Sequence, residues 1–414
     1  MGNEPAQGAS ALLRRGAGRT TRLGLVLAGV LAVVSGLFLP RVPSVWQMHL
    51  LSPGWMPHQI VKLLEFSNDI QVALVAERLA EPRPDIALVL ITEDTLADLA
   101  YITPIDRELI ARLVGSLDHL GARVIGLDIL FDQATEPDKD RALLERFKLT
   151  RARLILGGAD ERTQLSARRR AWQSAFLQKA GHDFGFFNLR YDVREAAQSH
   201  VVRNRAAPAP HSTFKMSFAE ALARASGVER FPMSRRIPWL RARGGGDAFV
   251  AIDADGVLAA ERDPNGILAR ALEQQLNGRI VLVGVDMLDR DRHPTPLSAV
   301  QGGDMLGVAV HAQILAGLID GRALDDLARA GVSALTSIAT FLGFVLGWFG
   351  ARHRLVMTLM VGGGIMALMG VSALVLWQFK AIVPVAAIVA AFVGAAMAGR
   401  LVRAYGVRIF RVGP

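Results

Sequence analysis

Apolar residues gather in four blocks of the 414-residue chain, and the long segment between the first two blocks has the mixed composition of a soluble domain. The blocks cover residues 23–39, 334–349, 355–377 and 381–399. Each is close to the roughly 20 residues that an α-helix needs to cross the hydrocarbon core of a bilayer. The pattern therefore predicts four transmembrane spans, and the short links between the last three predict antiparallel helices.

The first apolar block follows a basic segment and is followed by Pro40 and Arg41. A secretory signal peptide would end in a cleavage site of the small-x-small kind. No such site precedes Arg41. We therefore interpret this block as an uncleaved anchor.

Basic residues flank the spans on one side of the predicted membrane. Cytoplasmic flanks carry the excess of Lys and Arg, whereas long exported domains cross largely regardless of charge. Both termini are therefore expected in the cytoplasm of a bacterial cell, with a multi-pass chain in the inner membrane and the main domain periplasmic or extracellular. The flanking residues are Arg14, Arg15, Arg19, Arg22, Arg352, Arg354, Arg400, Arg403, Arg408 and Arg411. The predicted segments are a cytoplasmic N-terminus (1–22), an anchor (23–40), an exported domain with a stem helix (41–328), a three-helix membrane unit (329–399) and a basic cytoplasmic tail (400–414).

Within the exported segment, short apolar runs alternate with amphipathic stretches of helical period. This alternation is typical of βαβ units and predicts a mostly parallel sheet flanked by helices on both faces. The fold class is therefore an α/β exported domain plus four helical spans. The predicted strands cover residues 85–91, 123–131, 153–156, 184–188 and 279–283, and the predicted helices cover residues 57–79, 106–117, 138–147, 165–179, 214–225 and 305–318.

Composition excludes several classes of function. The formal net charge is +9, but many arginines flank the spans and aromatic residues are only 7% of the chain, so we do not expect a nucleic-acid partner. The chain has no cysteine, which excludes disulfides and thiol chemistry. No P-loop, G-x-S-x-G or H-E-x-x-H motif is present. We expect no enzymatic activity and no cofactor.

Four stretches resemble a known family of exported sensory domains. They are residues 90–96, 124–131, 278–284 (followed by Asp291, His293, Thr295 and Pro296) and 307–312. Together they resemble the type-two CHASE domains (cyclase/histidine-kinase-associated sensory extracellular). Two segments depart from the family pattern. Residues 101–107 keep Pro104 and Arg107 without the family's tryptophans, and the Asp-x-Asp-Gly-Val-x-Arg segment has only a later counterpart at residues 253–257, without the arginine.

The resemblance implies a sensor whose closing spans lead to a cyclase or kinase. The sequence ends at Pro414 without a kinase Gly-rich loop or catalytic loop. We therefore expect either that the output lies on another polypeptide or that there is none.

Polar residues follow several predicted strands at the edge where an open α/β sheet binds its ligands. The candidate ligand-binding residues are Glu93, Asp94, Arg107, Asp128, Asp132, Asn188 and Asp286, with Arg107 taken from the resemblance. Such carboxylates suit a metal or a cationic ligand. Alternatively, Asp128 caps or orients a neighbouring loop and Asp132 starts the next turn. In either case the Asp128 carboxyl interrupts an apolar strand and needs hydrogen-bond donors.

A second group, Asp286, Asp289, Asp291 and His293, has the residue types of a cation loop but lacks the glycine of an EF-hand. Arg290 and Arg292 alternate with these residues, so a self-paired surface loop is the simpler interpretation and no metal is expected. His311 at a helix start is interpreted as structural.

The leading hypothesis is a non-enzymatic sensory or regulatory membrane protein. Its exported domain would bind a small molecule or an envelope partner and signal to a separate cytoplasmic protein. The alternative is a structural subunit of an envelope complex that uses this domain as an interaction module. Gly343 and Gly347 form a GxxxG pair, which indicates either a homo-oligomer or close packing among the chain's own helices.

Overall fold

A computed structural model describes residues 23–37, 58–191, 201–287, 291–350 and 354–409. These residues belong to two compact units. The globular unit comprises the described residues between 72 and 324, and the helical unit comprises those up to 71 and from 325 onwards.

The chain begins with α1 (Leu23–Leu37) and α2 (His58–Val75). The strands of the globular unit are β1 (Glu77–Leu79), β2 (Arg83–Thr92), β3 (Val124–Leu127), β4 (Arg153–Gly158), β5 (Asp183–Phe186), β6 (Arg190–Tyr191), β7 (Val202–Asn204), β8 (Leu240–Ala242), β9 (Phe249–Asp253), β10 (Ile280–Asp286), β11 (Arg292–His293) and β12 (Met305–Leu306). Its helices are α3 (Glu93–Leu96), α4 (Arg107–His119), α5 (Pro137–Leu149), α6 (Ala167–Ala180), α7 (Phe218–Ala225), α8 (Ala254–Arg262), α9 (Ile267–Leu276), α10 (Ser298–Gln301) and α11 (Gly307–Ile319).

Six strands form the central sheet in the order β5-β4-β3-β10-β2-β9, and every neighbouring pair is parallel. The predicted parallel α/β architecture is confirmed. The chain runs from β3 to β4 and β5 on one side of β10, whereas β2 and β9 lie on its other side. Loops that follow β3 and β10 therefore diverge at the carboxyl edge, where sheets of this class form a crevice.

Helices cover both faces of the sheet, as the apolar strands require. Alternate residues of β2 face opposite sides because side chains in a strand alternate. Val89 and Ile91 join a core with helices α4, α5, α6, α8 and α9. On the other face, a Cβ at Gly126 of β3 would overlap Phe218 and Leu222 of α7, so this glycine permits close packing of that helix.

The secondary structure differs from the sequence-based prediction in several places. Strand β3 ends at Leu127, earlier than the predicted residue 131, and residues 128–130 are loop. Helix α2 ends at Val75, and the last residues of the predicted stem helix form β1. Strand β9 and helices α8 and α9 were not predicted, since β9 has the alternating burial of an edge strand rather than an apolar run.

The helical unit adds β13 (Asp325–Asp326), α12 (Arg329–Phe349), α13 (Arg354–Phe379), β14 (Ala381–Ile382) and α14 (Val385–Ile409). Within the described residues, α12, α13 and α14 are long and apolar enough to cross a membrane. The described part of α1 is a shorter apolar helix. At 1.5 Å per residue it spans about 22 Å, less than the roughly 30 Å hydrocarbon core. Among the described residues the structure therefore shows three candidate spans, and the predicted fourth is represented only by this shorter helix.

Helices α12 and α14 pack closely through small residues. A Cβ at Gly343 would overlap the Phe392 carbonyl, and one at Gly347 would overlap the Ala396 carbonyl. The GxxxG pair is thus occupied by a helix of the same chain, which favours internal packing over dimerisation.

Candidate functional site

A cavity of about 780 Å³ lies in the globular unit where β3, β4, β5 and β10 end. Its wall is formed by the loops that follow these strands, by residues 103–105 before α4, by β6 and β11, and by the start of α11. The titratable and charged lining residues are Asp128, Asp132, Arg162, Arg169, Arg190, Tyr191, Asp291, His293 and His311. Of the predicted site residues, the cavity brings together Asp128, Asp132, Asn188, Asp291 and His293.

Asp128 is the first residue after β3, and its backbone N–H donates to the carbonyl of Val283 in the neighbouring β10 at 2.8 Å. This bond extends the hydrogen bonding between β3 and β10 by one residue. Asp128 lines the cavity. Among the described residues, none donates a hydrogen bond to its carboxyl group. Burial raises the pKa of Asp128 well above its usual range, and the charge of Asp291 raises it further. The described residues therefore provide neither the donors expected for this carboxyl nor a loop that it caps or orients.

Asp132 is 3% exposed and forms an ion pair with Arg169 of α6. The pair joins the loop after β3 to the helix after β4. Arg169 thus neutralises the Asp132 carboxylate, and the Arg169 guanidinium, which could otherwise attract an anion, is already paired.

Asn188 links two loops at the carboxyl edge. Its Oδ1 accepts from the backbone N–H of Asp160 at 2.8 Å, and its Nδ2 donates to Oγ1 of Thr163 at 2.7 Å. The buried carboxylate of Asp160 accepts from Nε of Arg162 at 2.9 Å, and this guanidinium lies 4.7 Å from the ring centre of Phe186. These bonds give Asn188 a positioning role in the wall.

Tyr191, His293 and Asp291 form a chain of hydrogen bonds in another part of the wall. The Tyr191 hydroxyl and His293 Nδ1 are 2.9 Å apart, and His293 Nε2 and Asp291 Oδ1 are 3.0 Å apart. Burial raises the pKa of Tyr191, and the charge of Asp291 adds to this. Asp291 has a φ of 53°, a left-handed conformation that Asp tolerates better than most residues.

His311, near the start of α11, is 3% exposed and packs edge-on against Phe218 with ring centres 5.5 Å apart. Burial lowers the pKa of His311 to about 4, against the opposing influence of Asp291 and of a hydrogen bond to the Phe187 backbone. The imidazole is therefore neutral near pH 7. Its Nδ1 is buried and has no hydrogen-bond partner among the described residues.

The sequence of this unit decides its family. A family model of the CHASE2 domain matches residues 45–351, which include every residue of the cavity. The chain belongs to the CHASE2 family. No curated protein and no solved structure matches it. The resemblance found in four short stretches therefore extends over most of the chain.

Glu93 and Asp94 of the CHASE2 domain do not line the cavity. Both are exposed in the first turn of α3. Thr92 caps this helix, with its Oγ1 3.3 Å from the backbone nitrogen of Thr95 and its own backbone nitrogen 3.2 Å from Thr95 Oγ1. Carboxylates in a first helical turn favour the positive end of the helix dipole, so these two residues suit a structural role.

Arg107 also lies outside the cavity and is fully buried. Its guanidinium donates to the carbonyls of Ile105 (3.4 Å) and Gln133 (3.2 Å), lies 4.7 Å from the Phe131 ring centre and is 3.5 Å from a carboxylate oxygen of Asp140. Burial lowers the pKa of Arg107. These contacts hold the segment 129–133 that forms part of the cavity wall.

Asp286 faces a different cavity, of about 390 Å³, and pairs with Arg292 at 2.6 Å. Asp289 lies outside the described residues. In the described part of the CHASE2 domain, no three His, Asp or Glu side chains are arranged to hold a metal ion. The described members of the predicted cation loop therefore do not form a metal site with one another, and the self-paired alternative describes Asp286 correctly.

Sequence reasoning missed Arg162, Arg169, Arg190 and Tyr191. A signal for Arg162 was present, since it follows β4 as Asp128 follows β3. Arg169, Arg190 and Tyr191 reach the cavity only through tertiary contacts, so no local pattern indicated them.

Proposed function

We propose that the chain is a non-enzymatic membrane sensor whose CHASE2 domain binds a small molecule in the cavity at the carboxyl edge of the sheet. Family membership supports the sensory role. The observation that carries the ligand site is the cavity of about 780 Å³, a size typical of small-molecule pockets. Its wall includes a carboxyl group to which no described residue donates a hydrogen bond.

The wall is assembled from segments that are far apart in sequence. Residues 128–133 follow β3, residues 187–191 follow β5, and residues 291–293 follow β10. A ligand that contacts all three segments binds best to the arrangement in which they converge, and it shifts the population towards that arrangement. This shift is the signal that we propose passes to a cytoplasmic output partner.

We further propose the four-span topology with both termini cytoplasmic. The arginines flanking α12 to α14 and the first apolar block support it. Reporter fusions test it directly. A fusion at Gly245 should report export, and a fusion after Pro414 should report a cytoplasmic position. The opposite result at either site contradicts the topology.

Mass spectrometry of small molecules released from the purified full chain tests the ligand site. Leu130 lines the cavity, so Leu130→Trp should fill it and abolish the co-purified molecule. Leu149→Trp is the matched control, because Leu149 is 69% exposed at the end of α5. Release of the same molecules from both variants would contradict the ligand site. If the unaltered chain releases no small molecule and instead co-purifies stably with an envelope protein, the structural alternative is supported.

A further inference from the structure

The arginine side chains that line the cavity already have partners within the protein, and so does the Asn188 amide. Arg162 pairs with Asp160, and Arg169 pairs with Asp132. The Asn188 amide donates to Thr163. Arg190 is exposed and also has an interaction partner. Fixed positive charge in this wall is therefore largely neutralised.

The start of α11 is likewise covered by a group of the protein. The backbone N–H of Gly307 donates to the Asp291 carbonyl at 2.9 Å. A Cβ at Gly307 would overlap the Asp291 carboxylate, which therefore lies directly against this helix end. The Asp291 carboxylate therefore already supplies the negative charge that the positive end of the helix dipole favours.

Two acceptor groups of the lining residues have no hydrogen-bond donor among the described residues. They are the Asp128 carboxyl and the buried Nδ1 of the neutral His311 imidazole. Buried polar groups are nearly always hydrogen-bonded in folded proteins. Unpaired acceptors beside arginines that already have partners are complementary to a ligand that donates hydrogen bonds.

We propose that the cavity binds a small organic cation that donates N–H hydrogen bonds, with Asp128 as its counter-ion and His311 as a second acceptor. This inference rests on the proposed function of the cavity as the sensory site. The Asp291 carboxylate adds negative potential nearby. An anion would meet the Asp128 and Asp291 carboxyl groups and no arginine without a partner, and like charges repel.

Three probes of equal carbon length separate the ligand classes: 1,4-diaminobutane, 1,4-butanediol and succinate. The full chain in detergent is unfolded thermally with each probe at equal ionic strength. We expect only the diamine to raise the melting temperature. Asp128→Asn should weaken diamine binding about tenfold to hundredfold, the range expected for loss of a charge-assisted hydrogen bond. Asp94→Asn is the matched control, since it removes an exposed carboxyl outside the cavity.

The outcomes distinguish this inference from the proposed function. Stabilisation by succinate or butanediol alone, abolished by Leu130→Trp, would overturn the ligand class and leave the cavity as the sensory site. Diamine binding that survives Asp128→Asn would overturn the assigned counter-ion. Stabilisation by none of the three probes would overturn the inference, whereas the molecules released from Leu130→Trp and Leu149→Trp decide the proposed function independently.

Discussion

Asp128 and Asp291, which are distant in sequence, face one cavity, and the charge of Asp291 adds to burial in raising the pKa of Asp128. Burial is the larger cause. The carboxyl of Asp128 is therefore costly to ionise in the folded protein, and no described residue offsets this cost with a hydrogen bond. Asp128 thus lowers stability when it is ionised, and it lies at the edge where open α/β sheets bind ligands. Both facts make it a candidate ligand-binding residue.

Replacement of Asp128 by Asn should stabilise the protein near neutral pH. A carboxyl whose pKa is raised on folding lowers stability once the pH exceeds its unfolded pKa, near 4, and the effect grows until the pH reaches the folded pKa. Relief of roughly 1 kcal/mol would raise the melting temperature by about 2–4 °C. The gain should vanish near pH 4. A lower melting temperature at neutral pH would show that the carboxyl has a stabilising partner.

Diamine binding should weaken as the pH falls. Binding favours ionised Asp128, so below the pKa of the free carboxyl each pH unit should cost about tenfold in affinity, and above it the affinity should be constant. The slope, measured by calorimetry, should disappear in Asp128→Asn. The other titratable groups facing the cavity are Asp132, Tyr191, Asp291, His293 and His311, together with Arg162, Arg169 and Arg190. A slope retained in Asp128→Asn would assign the pH dependence to one of them.

Arg107→Ala should destabilise the globular unit strongly although Arg107 does not line the cavity. The change removes a fully buried guanidinium from the Ile105 and Gln133 carbonyls and from Asp140. Loss of one partner of a buried ion pair typically costs about 3–5 kcal/mol of unfolding free energy. Thermal unfolding measures the loss. Arg141→Ala is the control, since Arg141 is exposed in an ion pair with Asp138, and a similar loss in both variants would contradict the structural role.

Much of the fold was predictable because a buried parallel strand is recorded in local sequence as an apolar run. This holds for β2, β4 and β10, whereas β9 at the sheet edge alternates and was missed. The same rule placed Asp128 and Asn188 correctly at the carboxyl edge. The rule wrongly placed Glu93 and Asp94 in the cavity, because the Thr92–Thr95 capping box starts a helix directly after β2.

The remaining features of the site depend on partners distant in sequence. Asp132 meets Arg169 and Tyr191 meets His293 only through the tertiary fold, so no local pattern predicts either pair. Asp286 follows its strand as expected, yet Arg292 neutralises it beside another cavity.

Gly347→Leu should disrupt the helical unit. The new side chain would overlap the Ala396 carbonyl of α14, and overpacking of this kind costs about 1–3 kcal/mol. Gly363→Leu in α13 should be tolerated, because a Cβ at this position would meet no other described atom within 4 Å. Melting temperature and monodispersity in detergent measure both. Loss of a cross-linked dimer without loss of stability in Gly347→Leu would instead support dimerisation.

Hydrogen–deuterium exchange of the full chain with and without 1,4-diaminobutane tests whether the cavity binds this cation through Asp128. We expect the diamine to slow exchange at residues 128–133, 187–191 and 291–293, and we expect Asp128→Asn to abolish this protection and Asp94→Asn to retain it. Protection confined to residues 298–306 beside the second cavity, or unchanged exchange at the three predicted segments, would contradict binding of the cation in this cavity.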